Sequence, residues 1–137
     1  MDAKAADVRW KQRFQNLQKA NSRLQNAAVR VGGSAPDELL RAGLIQTFEF
    51  SFELSWKTLK DYLFEGGIEV NSPRETLRMS LQQGIIDDGD KWMKAMVDRN
   101  KTSHIYDEEE AEEISAAILT EYAEMIDTLV SKLGGEL

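Results

Sequence analysis

The sequence predicts an all-α fold: an up-and-down four-helix bundle with an extra short helix. Three observations predict it. The 137-residue chain has two prolines and few clusters of β-branched residues. Leu, Ala, Glu, Lys, Arg, Gln and Met, the good helix formers, dominate it. Apolar residues recur at steps of three and four, the period of a helix with one buried face. At this length the chain is expected to form one domain, residues 1–137, with a core large enough to need neither disulfides nor metals.

The first helix is expected from near residue 4 to residue 30. Trp10, Phe14, Leu17, Leu24, Ala28 and Val31 make a narrow stripe, with Asn21 at the missing position. Such a stripe is the seam of a helix packed in a bundle. Gly32 and Gly33 end it, and Ser34 with Pro36 is expected to start the next.

The second helix, about 36–64, carries Leu44, Ile45, Phe48, Phe52, Trp56, Leu59, Tyr62 and Leu63 on one arc. Phe50 and Leu54 fall on nearly the opposite side. Glu49, Glu53, Lys57 and Lys60 form a polar stripe between the two. A helix with two apolar faces is expected to be wedged between two neighbours, the second of which can be another copy of the chain. Gly66 and Gly67 end it.

Ser72 caps a third helix, Pro73 opens it, Glu75 completes a capping box and Gly84 closes it. A fourth helix buries Trp92, Met93, Met96 and Val97 and ends at Arg99 and Asn100. Asp107 caps a fifth, with Glu110 three residues on. Its first turn is acidic, matched to the helix dipole. Ile114, Ala117, Ile118, Tyr122, Met125, Ile126 and Leu129 form its apolar face, and the final Gly-Gly-Glu-Leu is a frayed tail.

Composition narrows the chemistry. The chain has no cysteine, which removes disulfides, zinc-thiolate sites and cysteine nucleophiles. One histidine leaves little from which to build a metal cluster, and no cofactor is expected. Charges at the N-terminus stand where a signal peptide needs an apolar core, and no apolar run approaches the length of a membrane helix. A soluble, cytoplasmic protein is expected. The net charge of −7 is unevenly spread: residues 1–30 carry +5 and the rest −12. An acidic protein is a poor general nucleic-acid binder. The basic first segment allows a local site, or packs beside the acidic last segment.

The candidate chemistry lies in Asp98–Glu110, around the single histidine. Arg99 offers a fixed charge and a fork matched to phosphate oxygens. His104 can exchange a proton near neutral pH. Together they suit phosphodiester cleavage. Five residues of helix turn through about 140°, so the two converge only if the helix ends between them or a dimer shares the site. The plainer alternative is a histidine that bonds a carbonyl or complements the helix dipole. Trp10, Trp56 and Trp92 fit the core better than a base-stacking role. The acidic run from Asp107 to Glu113 fits a solvated helix start better than a magnesium site or a mimic of nucleic acid.

From "RWKQRFQNLQKA" through "LIQTFEFSFELSWKTLKDYL" and "SPRETLR" to "DRNKTSHIYDEEEAEEI", about residues 8–130, the chain resembles the HepT-like group of HEPN proteins, also called nucleotidyltransferase substrate-binding proteins. The resemblance implies a helical bundle that pairs as a homodimer beside a minimal nucleotidyltransferase partner. It implies a toxin: a metal-independent ribonuclease whose Arg99 binds the scissile phosphate and whose His104 is the acid/base group, with Asn100 assisting. It implies that Tyr106 accepts a nucleotidyl group from the partner, the antitoxin, which blocks the cleft. Glu49, Glu53 and Lys57 are candidate cleft-lining residues; for the two glutamates a solvated stripe, with Glu53 paired to Lys57, is the alternative. Three physical features agree with the resemblance: the second apolar face of Phe50 and Leu54, the lack of a metal cluster, and Tyr106 in an exposed connection. The charge disagrees, because a dimer carries −14 and RNA capture then needs a locally positive cleft. Lys57, Lys60, Lys101 or arginines of the first helix are candidates for its rim. The alternative function is a non-catalytic subunit that presents substrate to the nucleotidyltransferase.

Overall fold

Five helices account for nearly all of the described residues in a computed structural model of the chain. The description covers residues 3–33, 35, 37–104 and 107–137, and the side chains from residue 8 onward. The helices are α1 (Ala3–Gly32), α2 (Glu38–Glu65), α3 (Pro73–Gln82), α4 (Gly89–Lys101) and α5. The last has three consecutive parts: Glu108–Ala117, a π-helical turn over Ile118–Tyr122, and Ala123–Gly134. Helices α1, α2, α4 and α5 run up and down around one core, and short α3 packs on α2 and α4.

The periodic stripes become the core. Trp10, Phe14, Leu17 and Leu24 of α1 are buried, as are Leu44, Ile45, Phe48, Phe52, Leu59 and Leu63 of α2. Trp92 and Met96 of α4 meet them, with Ile114, Ile118, Tyr122, Met125, Ile126 and Leu129 of α5. Each such large side chain contributes about 1.5–3 kcal/mol by leaving water. Aromatic contacts fix the helix registers: Trp10 meets Tyr62 edge-on at 5.0 Å, and Phe52 packs 6.1 Å from Trp92. Trp56 is only partly buried, and its indole Nε1–H lies within the fold with no hydrogen-bond partner among the described residues.

The α1–α2 seam is built differently from its apolar stripes. Ser51, Ser55 and Thr58 of α2 are fully buried. Each hydroxyl donates to the carbonyl four residues back, at 2.8, 2.7 and 2.6 Å. Small side chains let the helices approach, and the back-bonding satisfies hydroxyls that would otherwise be buried without a partner. Asn21 sits in the α1 stripe because its amide donates to Asp127 of α5 at 2.9 Å. From the basic α1 segment, Arg13 reaches Asp61 of α2 at 2.8 Å.

The helix ends follow local chemistry. Ser72 accepts from the Glu75 N–H, and Glu75 reaches back to the N–H of Asn71, one residue before the cap. Gly67 and Gly84 adopt φ of +89° and +74°, the left-handed conformation that closes α2 and α3. The start of α2 differs from the expectation. Asp37 is the cap, accepting from the N–H groups of Leu39 and Leu40, and α2 begins two residues later than the proline suggested. A carboxylate already next to the first free N–H groups takes the role. Ser34 and Pro36 lie outside the described residues. Val97, expected in the core, is 44% exposed, because α4 buries the side that carries Trp92, Ala95 and Met96.

Candidate active site

Arg99 follows Trp92 and Met96 by seven and three residues, which places it at the inner edge of α4, against α2. There it meets the polar stripe of α2. Its Nη1 lies 3.9 Å from Glu49 Oε2, and its Nε lies 3.7 Å from Glu53 Oε2. Glu53 also lies 3.8 Å from Lys57 Nζ. Glu49, Glu53, Lys57 and Arg99 therefore form one chain of alternating charge across the α2–α4 face. The two glutamates, four residues apart, would repel each other, and the guanidinium between them offsets this.

The lengths of these contacts matter. At 3.7–3.9 Å they are ion pairs and not hydrogen bonds. Arg99 donates no side-chain hydrogen bond among the described residues, and its side chain is 28% exposed. The carboxylates orient the guanidinium without using up its N–H fork. Thr102 adds a restraint: its hydroxyl donates to Glu49 Oε2 at 2.8 Å and lies 2.6 Å from the Arg99 carbonyl.

The helix does end between Arg99 and His104. After Lys101 it tightens into a 3₁₀ turn, Thr102–His104. His104 is exposed at the end of that turn and has no hydrogen-bond or ion-pair partner among the described residues. No hydrogen bond joins it to Arg99. The side chain of Asn100 is exposed, and its carbonyl accepts from Ser103. Tyr106 lies outside the described residues. The structure thus brings together Arg99, Glu49, Glu53 and Lys57 and leaves His104 open one turn away.

Three participants escape sequence reasoning. Thr102 has no motif to mark it. Arg41 of α2 pairs with Glu108 and, at 3.8 Å, with Glu112, clipping α2 to the start of α5. The hydrogen bond that the Arg41 guanidinium donates to Glu108 holds its pKa above the ordinary range. Tyr122, which reads as a core residue, donates its hydroxyl to Asp98 Oδ2 at 2.5 Å. Its membership of an apolar stripe hides the one polar atom on the ring. Asp107 caps α5 through the Glu110 N–H at 2.8 Å, which accounts for part of the acidic run. Among the described residues, no group of three or more Asp, Glu or His side chains is arranged to hold a metal ion, and no helix is long and apolar enough to cross a membrane.

Residues 12–134 match the profile of the family described as nucleotidyltransferase substrate binding protein like. The chain belongs to that family. It is 39% identical over 90 residues to a Haemophilus influenzae protein named probable ribonuclease HepT, and the match spans 62% of each chain. Two solved structures share the fold. One, from Thermus thermophilus, aligns with a TM-score of 0.77 at 31% identity, covering 85% of this chain and 98% of the other. The second, from Haemophilus influenzae, is described as revealing the fold of a substrate binding domain of a nucleotidyltransferase. It aligns with a TM-score of 0.77 at 30% identity, covering 88% of this chain and 98% of that one.

Proposed function

We propose that residues 1–137 act as one HEPN-like domain, a metal-independent ribonuclease toxin held in check by a nucleotidyltransferase partner in the cytoplasm. The observation that carries the reading is the state of Arg99: steered by Glu49 and Glu53, 28% exposed, with its N–H fork unspent among the described residues, one turn from an open imidazole. The similarity to a protein named as a ribonuclease supports it. The match covers 62% of that relative, so its activity passes to this chain as a proposal.

In the proposed reaction Arg99 holds the scissile phosphate through two N–H donors and offsets the charge gained by its oxygens. The RNA 2′-hydroxyl attacks phosphorus as its proton passes to a base. The bond from phosphorus to the 5′ oxygen breaks, and that oxygen receives a proton. The products are a 2′,3′-cyclic phosphate and a 5′-hydroxyl. His104 exchanges a proton in one of these steps, and His104 of a second copy serves the other across a dimer cleft. Asn100 assists at the phosphate.

The dimer uses the second face of α2, where Phe50 is 62% exposed beside half-buried Leu54. Lys19 and Arg23 of α1 border that face and supply positive charge near an otherwise acidic chain. Transfer of a nucleotidyl group to Tyr106, two residues after His104 in the sequence, adds a bulky anion and closes the cleft to RNA.

The second reading, a non-catalytic subunit presenting substrate to a nucleotidyltransferase, is favoured by the family's description. Incubating the purified chain with RNA in EDTA separates the two. Cleavage that is lost in His104→Ala supports the ribonuclease; no cleavage by the unmodified chain supports the subunit. Label transfer from ATP to Tyr106, lost in Tyr106→Phe, tests the pairing with the partner.

A further inference from the structure

Tyr122 is fully buried, yet it touches both sides of the Arg99 site from beneath. Its hydroxyl donates to Asp98, the residue before Arg99. Its ring stacks on Phe48, the residue before Glu49, with centroids 5.3 Å apart and planes 21° apart. One side chain therefore ties the last turn of α4 to the stretch of α2 that faces it.

Tyr122 reaches this place through a local irregularity. It ends the π-helical turn Ile118–Tyr122, where α5 carries one residue more than a regular α-helix would. Removing that residue would rotate the following segment by about 100°. Burial, and then the hydrogen bond to Asp98, push the phenol well above its ordinary range, so the hydroxyl remains a donor. The three short hydroxyls of α2 bond the carbonyl four residues back in their own helix. This one crosses to another helix.

We propose that Tyr122 is a positioning residue for Arg99: its bond to Asp98 and its stack on Phe48 set the register that places the guanidinium between Glu49 and Glu53. The kinetic consequence rests on the ribonuclease reading; the geometric one does not.

Tyr122→Phe keeps the ring and the core and removes only the oxygen. The ¹⁵N signal of the Arg99 Nε–H, assigned by its loss in Arg99→Lys, reports the guanidinium directly. In Tyr122→Phe that signal is expected to move and sharpen as Arg99 gains freedom, with the helical circular dichroism unchanged. RNA turnover is expected to fall about tenfold, with KM changed by less than about twofold. Asp98→Asn keeps an acceptor and is expected to restore the wild-type signal; Asp98→Ala is expected to match Tyr122→Phe. A wild-type Arg99 signal in both Tyr122→Phe and Asp98→Ala overturns the proposal. If the wild-type chain cuts no RNA, the ribonuclease reading fails and the Arg99 signal alone decides the positioning role. If Tyr122→Phe does not fold, Asp98→Ala, at a partly exposed side chain, gives the same answer.

Discussion

Thr102 donates its hydroxyl to the Glu49 oxygen that also lies 3.9 Å from the Arg99 guanidinium. One carboxylate oxygen thus fixes the first residue of the 3₁₀ turn and steers the arginine before it. The turn that presents His104 and the orientation of Arg99 share a single anchor on α2.

Replacing Glu49 and Glu53 together by glutamine removes two negative charges beside Arg99 and keeps side-chain volume. RNA is expected to bind about two- to fivefold tighter, a gain that shrinks as salt rises. Cleavage is expected to slow, because the guanidinium loses its orientation. Fluorescence anisotropy at two salt concentrations, beside single-turnover cleavage, checks both halves. Weaker binding in the double variant would contradict the assigned role of the two carboxylates.

Phe48 and Phe50 are two residues apart on α2 and differ completely in exposure, at 0% and 62%. Phe48→Ala is expected to cost about 3–5 kcal/mol and to lower the melting temperature sharply. Phe50→Lys is expected to leave the fold intact and to shift the chain from dimer to monomer on sedimentation. A Phe50→Lys variant that sediments like the wild type rules this face out as the dimer contact.

Asp107→Ala removes the acceptor for the Glu110 N–H at the start of α5. It is expected to cost about 1 kcal/mol. The loss should concentrate in amide exchange over the first turn of α5, which follows the turn carrying His104. Uniform loss of protection through α5 would show that the cap has no local role.

Alkaline pH should weaken the fold through Tyr122. Its folded-state pKa is raised, first by burial and then by Asp98, above the ordinary value of 10.0. The stability it contributes is fully present below pH 10 and is lost as pH rises from there towards the folded value. Tyr62 is shifted the same way, chiefly by burial. Urea midpoints measured from pH 8 to pH 11 should therefore fall above pH 10 in the wild type, and less steeply in Tyr122→Phe. Equal slopes would contradict the buried, protonated phenol.

The fold was legible because burial leaves a periodic record. The stripe from Trp10 to Leu24 and the arc from Leu44 to Leu63 could be counted off the chain, and Ser72, Pro73, Glu75 and Asp107 mark helix starts by their own hydrogen-bonding chemistry. The site was legible only in part. Arg99 is visible as a phosphate-binding residue type, but its capture by Glu49 and Glu53 depends on the rotation of α4 against α2, which no local pattern encodes. The serine and threonine seam of α2 was missed because its polar residues face inward, and their hydroxyls are satisfied by their own helix. The π-helical turn was missed because Ile118–Tyr122 contains neither proline nor glycine to mark it. The turn ends at Tyr122, whose hydroxyl meets Asp98 of α4.

The most direct test of the account is a metal-free RNA cleavage assay. The purified chain is incubated with total RNA in EDTA beside His104→Ala and Arg99→Ala, and the new ends are analysed. The account predicts cleavage by the wild type that leaves 2′,3′-cyclic phosphate ends, abolished in both variants while their folds persist. Intact RNA in every lane, or equal cleavage by all three proteins, would contradict it.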